Sequence, residues 1–280
     1  RRTLFRILPA RKPCGISGFV MPRLRLTLAY AGTNYKGWQR QLQGEVELPT
    51  VQGVVEKEIS RICDTKISLQ GSGRTDTGVH ADCQVAHCDI PENKTRLNWK
   101  LALNTALPHD IRIKEYAIVA DTFHALYDVE KKAYTYSLWL DRNFVPPKLY
   151  PYTWACGKLN LNAVDEAIQY LIGEHDFSFA QNQGTNIKTT IRTVYEINRT
   201  DFEKQHSQDP SNYELKITFI ANGYLKQMVR NLVGILVACG KGKMRANDIP
   251  ELILAKDRKK SPPTAPPQGL TMTRIWYKDE

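Results

Sequence analysis

The 280-residue chain has no apolar run approaching the roughly 18 residues that suggest a membrane span, so the membrane-helix classes drop out. None of its six cysteines forms a Cys-x-x-Cys pair. Thiols this scattered argue for a reduced, cytosolic setting and against a disulfide framework. The two common phosphate-cradling motifs are also missing. The one glycine-dense loop lacks the Lys-Ser/Thr ending of a P-loop and the Gly-x-Gly-x-x-Gly that leads into a dinucleotide-binding helix. Acidic residues are wholly lacking before Met21, where Arg1, Arg2, Arg6, Arg11 and Lys12 supply half of the formal net charge of +10. That segment, residues 1–20, reads as a mobile upstream or appended extension. Met21-Pro22 runs straight into a strand pattern, and an Arg-rich targeting peptide is the alternative reading. The overall positive balance suits a polyanionic partner.

What is present is concentrated in residues 71–81, Gly-Ser-Gly-Arg-Thr-Asp-Thr-Gly-Val-His-Ala. Glycines at 71, 73 and 78 permit backbone conformations that a Cβ would forbid. They surround a single carboxylate, Asp76, two residues from the cation Arg74. Loops of this kind carry chemistry because a rigid scaffold positions them while their backbone stays open to a ligand. The competing readings are a hairpin turn, a phosphate cradle, or a surface ion pair of little consequence. Just downstream, His80, Cys83, His87 and Cys88 have the residue types of a zinc site. In an extended segment, however, Cys83 and His87 face one way while His80 and Cys88 face the other. Four ligands then cannot converge on one tetrahedron, and no metal is expected.

The rest of the chain alternates strand and helix patterns. Residues 23–30 alternate as a strand, and Thr50 caps a helix whose Val51, Val54, Val55, Ile59 and Ile62 share a face. Strands at 66–70 and 82–90, a short helix near 97–106 and a strand at 111–119 complete β-α-β-β-α-β. The order then repeats. A strand at 132–140 precedes a helix near 162–172 that stops at Gly173, and strands near 190–199 and 213–220 are joined by a polar connector at 204–212. A helix at 223–239, a short one near 248–255 and a strand at 270–277 follow. The expectation is an α+β protein of two ferredoxin-like halves, residues 21–128 and 129–280, with antiparallel sheets covered by helices and a catalytic cleft between them. Near the end, Lys256, Arg258, Lys259 and Lys260 lead into Ser261-Pro262-Pro263. Together these cations make a candidate phosphate contact; any one of them alone reads as a solvated charge.

The eleven-residue loop closely resembles the signature loop of the tRNA pseudouridine synthase A family, and the resemblance runs through nearly everything from Met21 onward. Thr33-Asn34-Tyr35-Lys36-Gly37-Trp38-Gln39-Arg40-Gln41 is similar to the family's first block, and Thr50-Val51-Gln52-Gly53 to the start of its first helix. Leu103-Asn104 with Leu107-Pro108 and Asp110-Ile111, and then Phe123-His124-Ala125, resemble later blocks. Gly173-Glu174-His175-Asp176-Phe177, Arg192-Thr193, Asn222-Gly223 with Met228-Val229-Arg230-Asn231, and Ala265-Pro266-Pro267 with Gly269-Leu270 complete the ordered matches. Two positions depart from the family pattern: Ala31, where aspartate is usual, and Leu126, where arginine is usual.

The resemblance implies a tRNA pseudouridine synthase acting at positions 38, 39 and 40 of the anticodon stem-loop, cytoplasmic and homodimeric. Asp76 would be the catalytic carboxylate, acting as a nucleophile or as a base that yields a glycal-type intermediate. Arg230 would pair with it, Arg74 would displace the target nucleotide, and Tyr134 would stack on the target ring. Tyr134 also reads as a core residue of an alternating strand. The reaction breaks and remakes one bond within the substrate, with no redox step or group donor, so no cofactor is implied. The alternatives are a catalytically silent RNA-binding module of the same fold and a nucleotide hydrolase using the glycine loop as a cradle.

Overall fold

The computed structural model describes residues 21–182, 184, 187–202 and 214–278. The expected extension at 1–20 and the connector at 204–212 lie outside the described residues. Two compact units divide between Asp128 and Val129. Both are mixed α+β, and their strand pairings are nearly all antiparallel.

The first unit contains β1 (Arg23–Tyr30), a small hairpin of β2 (Leu42–Gln43) and β3 (Val46–Glu47), α1 (Val51–Cys63), β4 (Gln70–Gly71), β5 (His80–Asp89), α2 (Trp99–Ala106) and β6 (Ile111–Val119). Its sheet runs β6-β1-β5-β4. Leu24, Leu26, Leu28 and Tyr30 of β1 are buried in strict alternation, as a sheet with one face on the core requires. Thr50 caps α1 by accepting a hydrogen bond from the Gly53 amide at 3.3 Å. Asn104 fastens α2 to β6 through paired bonds with Ile113, 2.9 Å and 2.8 Å.

One expected strand is cut short. The pattern at 66–70 predicts a full strand, but only Gln70–Gly71 joins the ladder. Polar side chains of α1 capture the backbone groups that a ladder would use. Ser60 accepts from the Ile67 amide at 2.9 Å, Glu56 accepts from the Leu69 amide at 2.8 Å, and Gln52 donates to the Leu69 carbonyl at 2.8 Å. Every one of those groups is thereby satisfied without a partner strand.

The second unit comprises β7 (Val129–Trp139), β8 (Trp154–Ala155), α3 (Leu161–Gln169), β9 (Gly173–Asp176), β10 (Ile191–Phe202), β11 (Glu214–Ala221), α4 (Met228–Gly240), α5 (Ile249–Ala255) and β12 (Leu270–Tyr277). Its sheet runs β12-β7-β11-β10-β9, with β8 added parallel to β7. Helix α4 is buried almost all round. It packs on α3, where Gly240 lies so close to Val164 that a Cβ would sit 2.8 Å from its methyl. Helix α4 starts later than its apolar stripe predicts, at Met228 and not near 223. The Tyr224 hydroxyl donates to the carbonyls of Phe219 (2.9 Å) and Lys132 (3.2 Å), and Gln227 takes a left-handed φ of 60°. Those fixtures keep 223–227 out of helical geometry.

Candidate active site

The glycine loop leaves β4 at Gly71 and enters β5 at His80. Its path is set by a few specific contacts. The Ser72 amide donates to the Val85 carbonyl at 2.8 Å, and the Ser72 hydroxyl bonds the Gln84 carboxamide oxygen at 2.6 Å. The nitrogen of the same carboxamide donates to the Gly73 carbonyl at 2.8 Å. Gln84 is fully buried, so its two polar ends are committed to the loop. Thr75 is held from both sides. Its hydroxyl lies 2.9 Å from the Tyr30 hydroxyl, and its carbonyl accepts from the Trp38 amide at 3.1 Å. Asp76 is the next residue, half-buried, while Arg74 is exposed. The Val79 amide then closes a turn onto the Asp76 carbonyl at 3.1 Å, with Gly78 at a φ of 79°.

The loop of residues 32–41 lies against this turn so closely that side chains are excluded from the contact. A Cβ on Gly32 would fall 1.9 Å from the Val79 carbonyl oxygen, and one on Gly37 would fall 2.5 Å from that of Thr75. A Cβ on Gly71 would strike the Trp38 indole at 2.5 Å. Trp38 is itself buried, with its ring stacked on Tyr30 at 6.1 Å. The Gly32 amide donates to His80 Nδ1 at 3.1 Å, and the Tyr35 hydroxyl donates to Asp110 at 2.6 Å. Burial lifts the Tyr30 phenol well above its ordinary range against the smaller opposing pull of Thr75, so Tyr30 stays a neutral bonding partner. Three of the separately matched sequence blocks, at 33–41, 71–81 and 110–111, thus converge on one structure. It presents a carboxylate on a turn fixed on both flanks.

In the second unit, Tyr134 lies on β7 and is only 7% exposed, with its ring edge-to-face on Tyr224 at 5.0 Å. Arg230 lies in the first turn of α4. Its Nε donates to the Ala265 carbonyl at 2.8 Å, and the Ala265 amide donates back to the Arg230 carbonyl at 3.1 Å. Tyr136 follows Tyr134 on the same face of β7. Burial raises its phenol far above the ordinary range, and the nearby Arg230 charge opposes the rise. Tyr134 and Arg230 therefore border one region of the second unit, while Arg74 and Asp76 share the loop of the first.

Several residues with plausible chemical roles turn out to be fasteners. His80 accepts from Gly32, and His87 Nδ1 accepts from the Ala125 amide at 3.1 Å. Burial, with the Arg23 charge as a lesser cause, pulls His87 down to about 4. The basic run near 256–260 does not act as one patch. Arg258 folds inward, donating to Asn182 (3.1 Å), Asn231 (2.9 Å), Thr264 (2.9 Å) and the carbonyls of Ser261 and Pro262. Lys256 pairs with Asp176 at 3.0 Å. Burial alone would raise the Asp176 carboxyl, but bonds from Thr190, Lys256 and Ser178 bring it down to about 2. Lys259 and Lys260 remain exposed candidates for phosphate, and Lys256, though paired with Asp176, is exposed as well.

Sequence reasoning passed over Tyr30, Gln84 and the packing roles of Gly32 and Gly37. Gln84 carried a signal, being an amide flanked by Cys83, Val85 and Ala86 in the strand. The closeness of the two loops carried none.

A family model described as tRNA pseudouridine synthase matches residues 27–128 and 167–278. The chain belongs to the tRNA pseudouridine synthase A family. Proteins of that name from Lawsonia intracellularis and Oleidesulfovibrio alaskensis are each 47% identical to it, over 258 and 272 residues. The first alignment covers 92% of this chain and 100% of the relative, the second 93% and 98%. A Thermoanaerobacter protein of the same name is 39% identical over 258 residues, with 92% and 100% covered. The activity of this family is isomerisation of uridine to pseudouridine in tRNA, and the chain is accordingly an isomerase. Among the described residues, no helix is long and apolar enough to cross a membrane.

Proposed function

We propose that the chain converts uridine to pseudouridine at positions 38, 39 and 40 of the tRNA anticodon stem-loop, with Asp76 as the catalytic carboxylate. The observation that carries this reading is the loop itself: one half-buried carboxylate on a turn braced by Tyr30, Trp38 and Gln84. Catalysis rewards such bracing because the reacting group must be held in place before the substrate arrives. The C1′–N1 glycosidic bond of the uridine breaks, the detached ring turns, and C1′ bonds to C5. The C5 proton leaves to solvent and N1 takes up a proton, so the composition is unchanged. Asp76 serves either by adding to C1′ or by removing a sugar proton, and both routes need it ionised. Arg230 pairs with Asp76, a task suited to a guanidinium that stays charged and is already oriented by Ala265. The exposed Arg74 displaces the target nucleotide from its stack, and Tyr134, steadied by Tyr224, holds the ring.

The strand orders β6-β1-β5-β4 and β12-β7-β11-β10 support reading residues 21–128 and 129–280 as two ferredoxin-like halves. The working form is a cytoplasmic homodimer, which enlarges the basic surface offered to one tRNA. Unmodified tRNA incubated with the protein, without metal or cofactor, should gain pseudouridine at 38–40. The Asp76→Ala variant should bind the same tRNA and leave it unchanged. Binding by both proteins with product from neither would replace this reading with a silent RNA-binding module.

A further inference from the structure

A second cationic feature lies wholly within the second unit. A cavity of about 490 Å³ is bordered by Arg142 from the connection after β7, Lys158 from the connection after β8, and Lys241 and Lys243 from the segment after α4. No carboxylate is among its lining residues. Two of these cations are fixed in place. Arg142 Nε and Lys241 Nζ donate to the same oxygen, the Cys156 carbonyl, at 3.0 Å and 2.6 Å. Gly157, at a φ of 78°, leaves room for the Arg142 side chain, which a Cβ there would meet at 2.9 Å.

Holding four like charges together is unfavourable. The Lys241 ammonium is pulled below its ordinary range, first by burial and then by repulsion from Arg142 and Lys243. The C-terminal end of α4 offsets part of this, but a helix terminus carries only about half a charge. Against four full cations the excess persists, and an anion would remove it. The connection that supplies Arg142 also carries Phe144, Tyr150 and Tyr152, which are 57%, 70% and 46% exposed. Cations interleaved with exposed aromatics suit a nucleic acid strand better than a lone inorganic ion.

We infer that this notch of Arg142, Lys158, Lys241 and Lys243 binds backbone phosphate of the tRNA substrate. The inference rests on tRNA being the substrate but not on the roles given to Asp76 or Arg230. Lys158 and Lys243 are exposed, so Lys158→Glu/Lys243→Glu reverses the notch without touching the bonds to Cys156. The measurement is tRNA affinity as a function of salt, made in an Asp76→Ala background so that it is independent of turnover. A parallel turnover assay on otherwise unaltered protein tests the Asp76 assignment separately.

The expected result is a dissociation constant raised about ten-fold or more at low salt, with the salt slope reduced by about one for each phosphate that the variant no longer neutralises. The charge-matched Lys57→Glu/Lys100→Glu variant, altered at exposed positions of α1 and α2, should change affinity less. A notch variant no weaker than this control, with an unchanged slope, would overturn the inference. So would unchanged tRNA affinity together with loss of calorimetric binding of inorganic phosphate, because the notch would then hold a free anion.

Discussion

Replacing Gly37 by alanine should damage catalysis from a residue that has no chemistry of its own. Gly37 has a φ of 89°, a region where an L-residue costs about 1–2 kcal/mol. Its new Cβ would lie 2.5 Å from the Thr75 carbonyl oxygen, closer than real Cβ atoms come to any neighbour. Relief requires the two loops to separate, which breaks the 3.1 Å bond from the Trp38 amide to that carbonyl. Such a bond contributes about 1 kcal/mol. The combined loss is about 3 kcal/mol, or roughly 6–12 °C in melting midpoint for a chain of this size. Because Thr75 immediately precedes Asp76, the displacement reaches the carboxylate, and a misplacement of about 1 Å costs on the order of 100-fold in rate. Tritium released from C5-labelled uridine in tRNA measures kcat directly, since the C5 proton leaves only when the new bond forms. Gly44→Ala is the control. Gly44 has a φ of 64° but nothing within 4 Å of its added Cβ, so it should lose only about 1–2 kcal/mol and keep the parent rate. If Gly37→Ala loses stability yet keeps kcat within about two-fold, the bracing of Asp76 by the neighbouring loop is refuted.

Two further outcomes follow from buried polar groups. Arg258→Met should cost about 2 kcal/mol, because it removes five donated bonds at once, to Asn182, Asn231, Thr264 and the carbonyls of Ser261 and Pro262, while Asn231 Oδ1 keeps the Thr264 hydroxyl and Asn182 Oδ1 keeps the Asn231 amide. Arg258→Lys should recover little of that, whereas the salt slope of tRNA binding should not move; a changed slope would return Arg258 to the RNA-contacting residues. His87 gives a pH signature. Its folded value of about 4 lies below the ordinary 6.5, so the unfolded chain binds the proton first as pH falls. Its contribution is complete above about pH 6.5 and is lost progressively down to pH 4, a change of about 3 kcal/mol. Urea unfolding across that window should show the decline, and His87→Gln should flatten it.

The elements that were readable were those whose pattern is local. Strands β1, β6 and β12 span the residues expected of them, β1 by strict alternation, and Thr50 caps α1 as its side chain suggests. The reading failed where side chains from elsewhere intervene. Residues 66–69 have a strand's composition, yet Ser60, Glu56 and Gln52 take their backbone groups. Residues 223–227 continue a helical stripe, yet the Tyr224 hydroxyl and the backbone at Gln227 prevent the turn. Arg258 looked like its lysine neighbours because composition does not reveal the direction of a side chain. In the glycine loop the carboxylate was legible at once. The reason for the glycines at 32 and 37 was not, because it lies in a contact with a turn some forty residues away.

The shortness of β4 has one more consequence. A loop continuing from a full ladder would be zipped to its neighbour residue by residue, and moving it would mean peeling a strand. Here, beyond Gly71, the chain is fastened at separate points, among them the Ser72 amide on Val85, the Gln84 carboxamide, the Tyr30 phenol and the Trp38 amide of the loop at 32–41. Points can be released one at a time. Hydrogen exchange at residues 73–78 should therefore proceed through small local openings, while the amides of β1 and β5 beside them exchange only with the unit as a whole. The turn that carries Asp76 can thus open locally and return to its place with the sheet beneath it undisturbed.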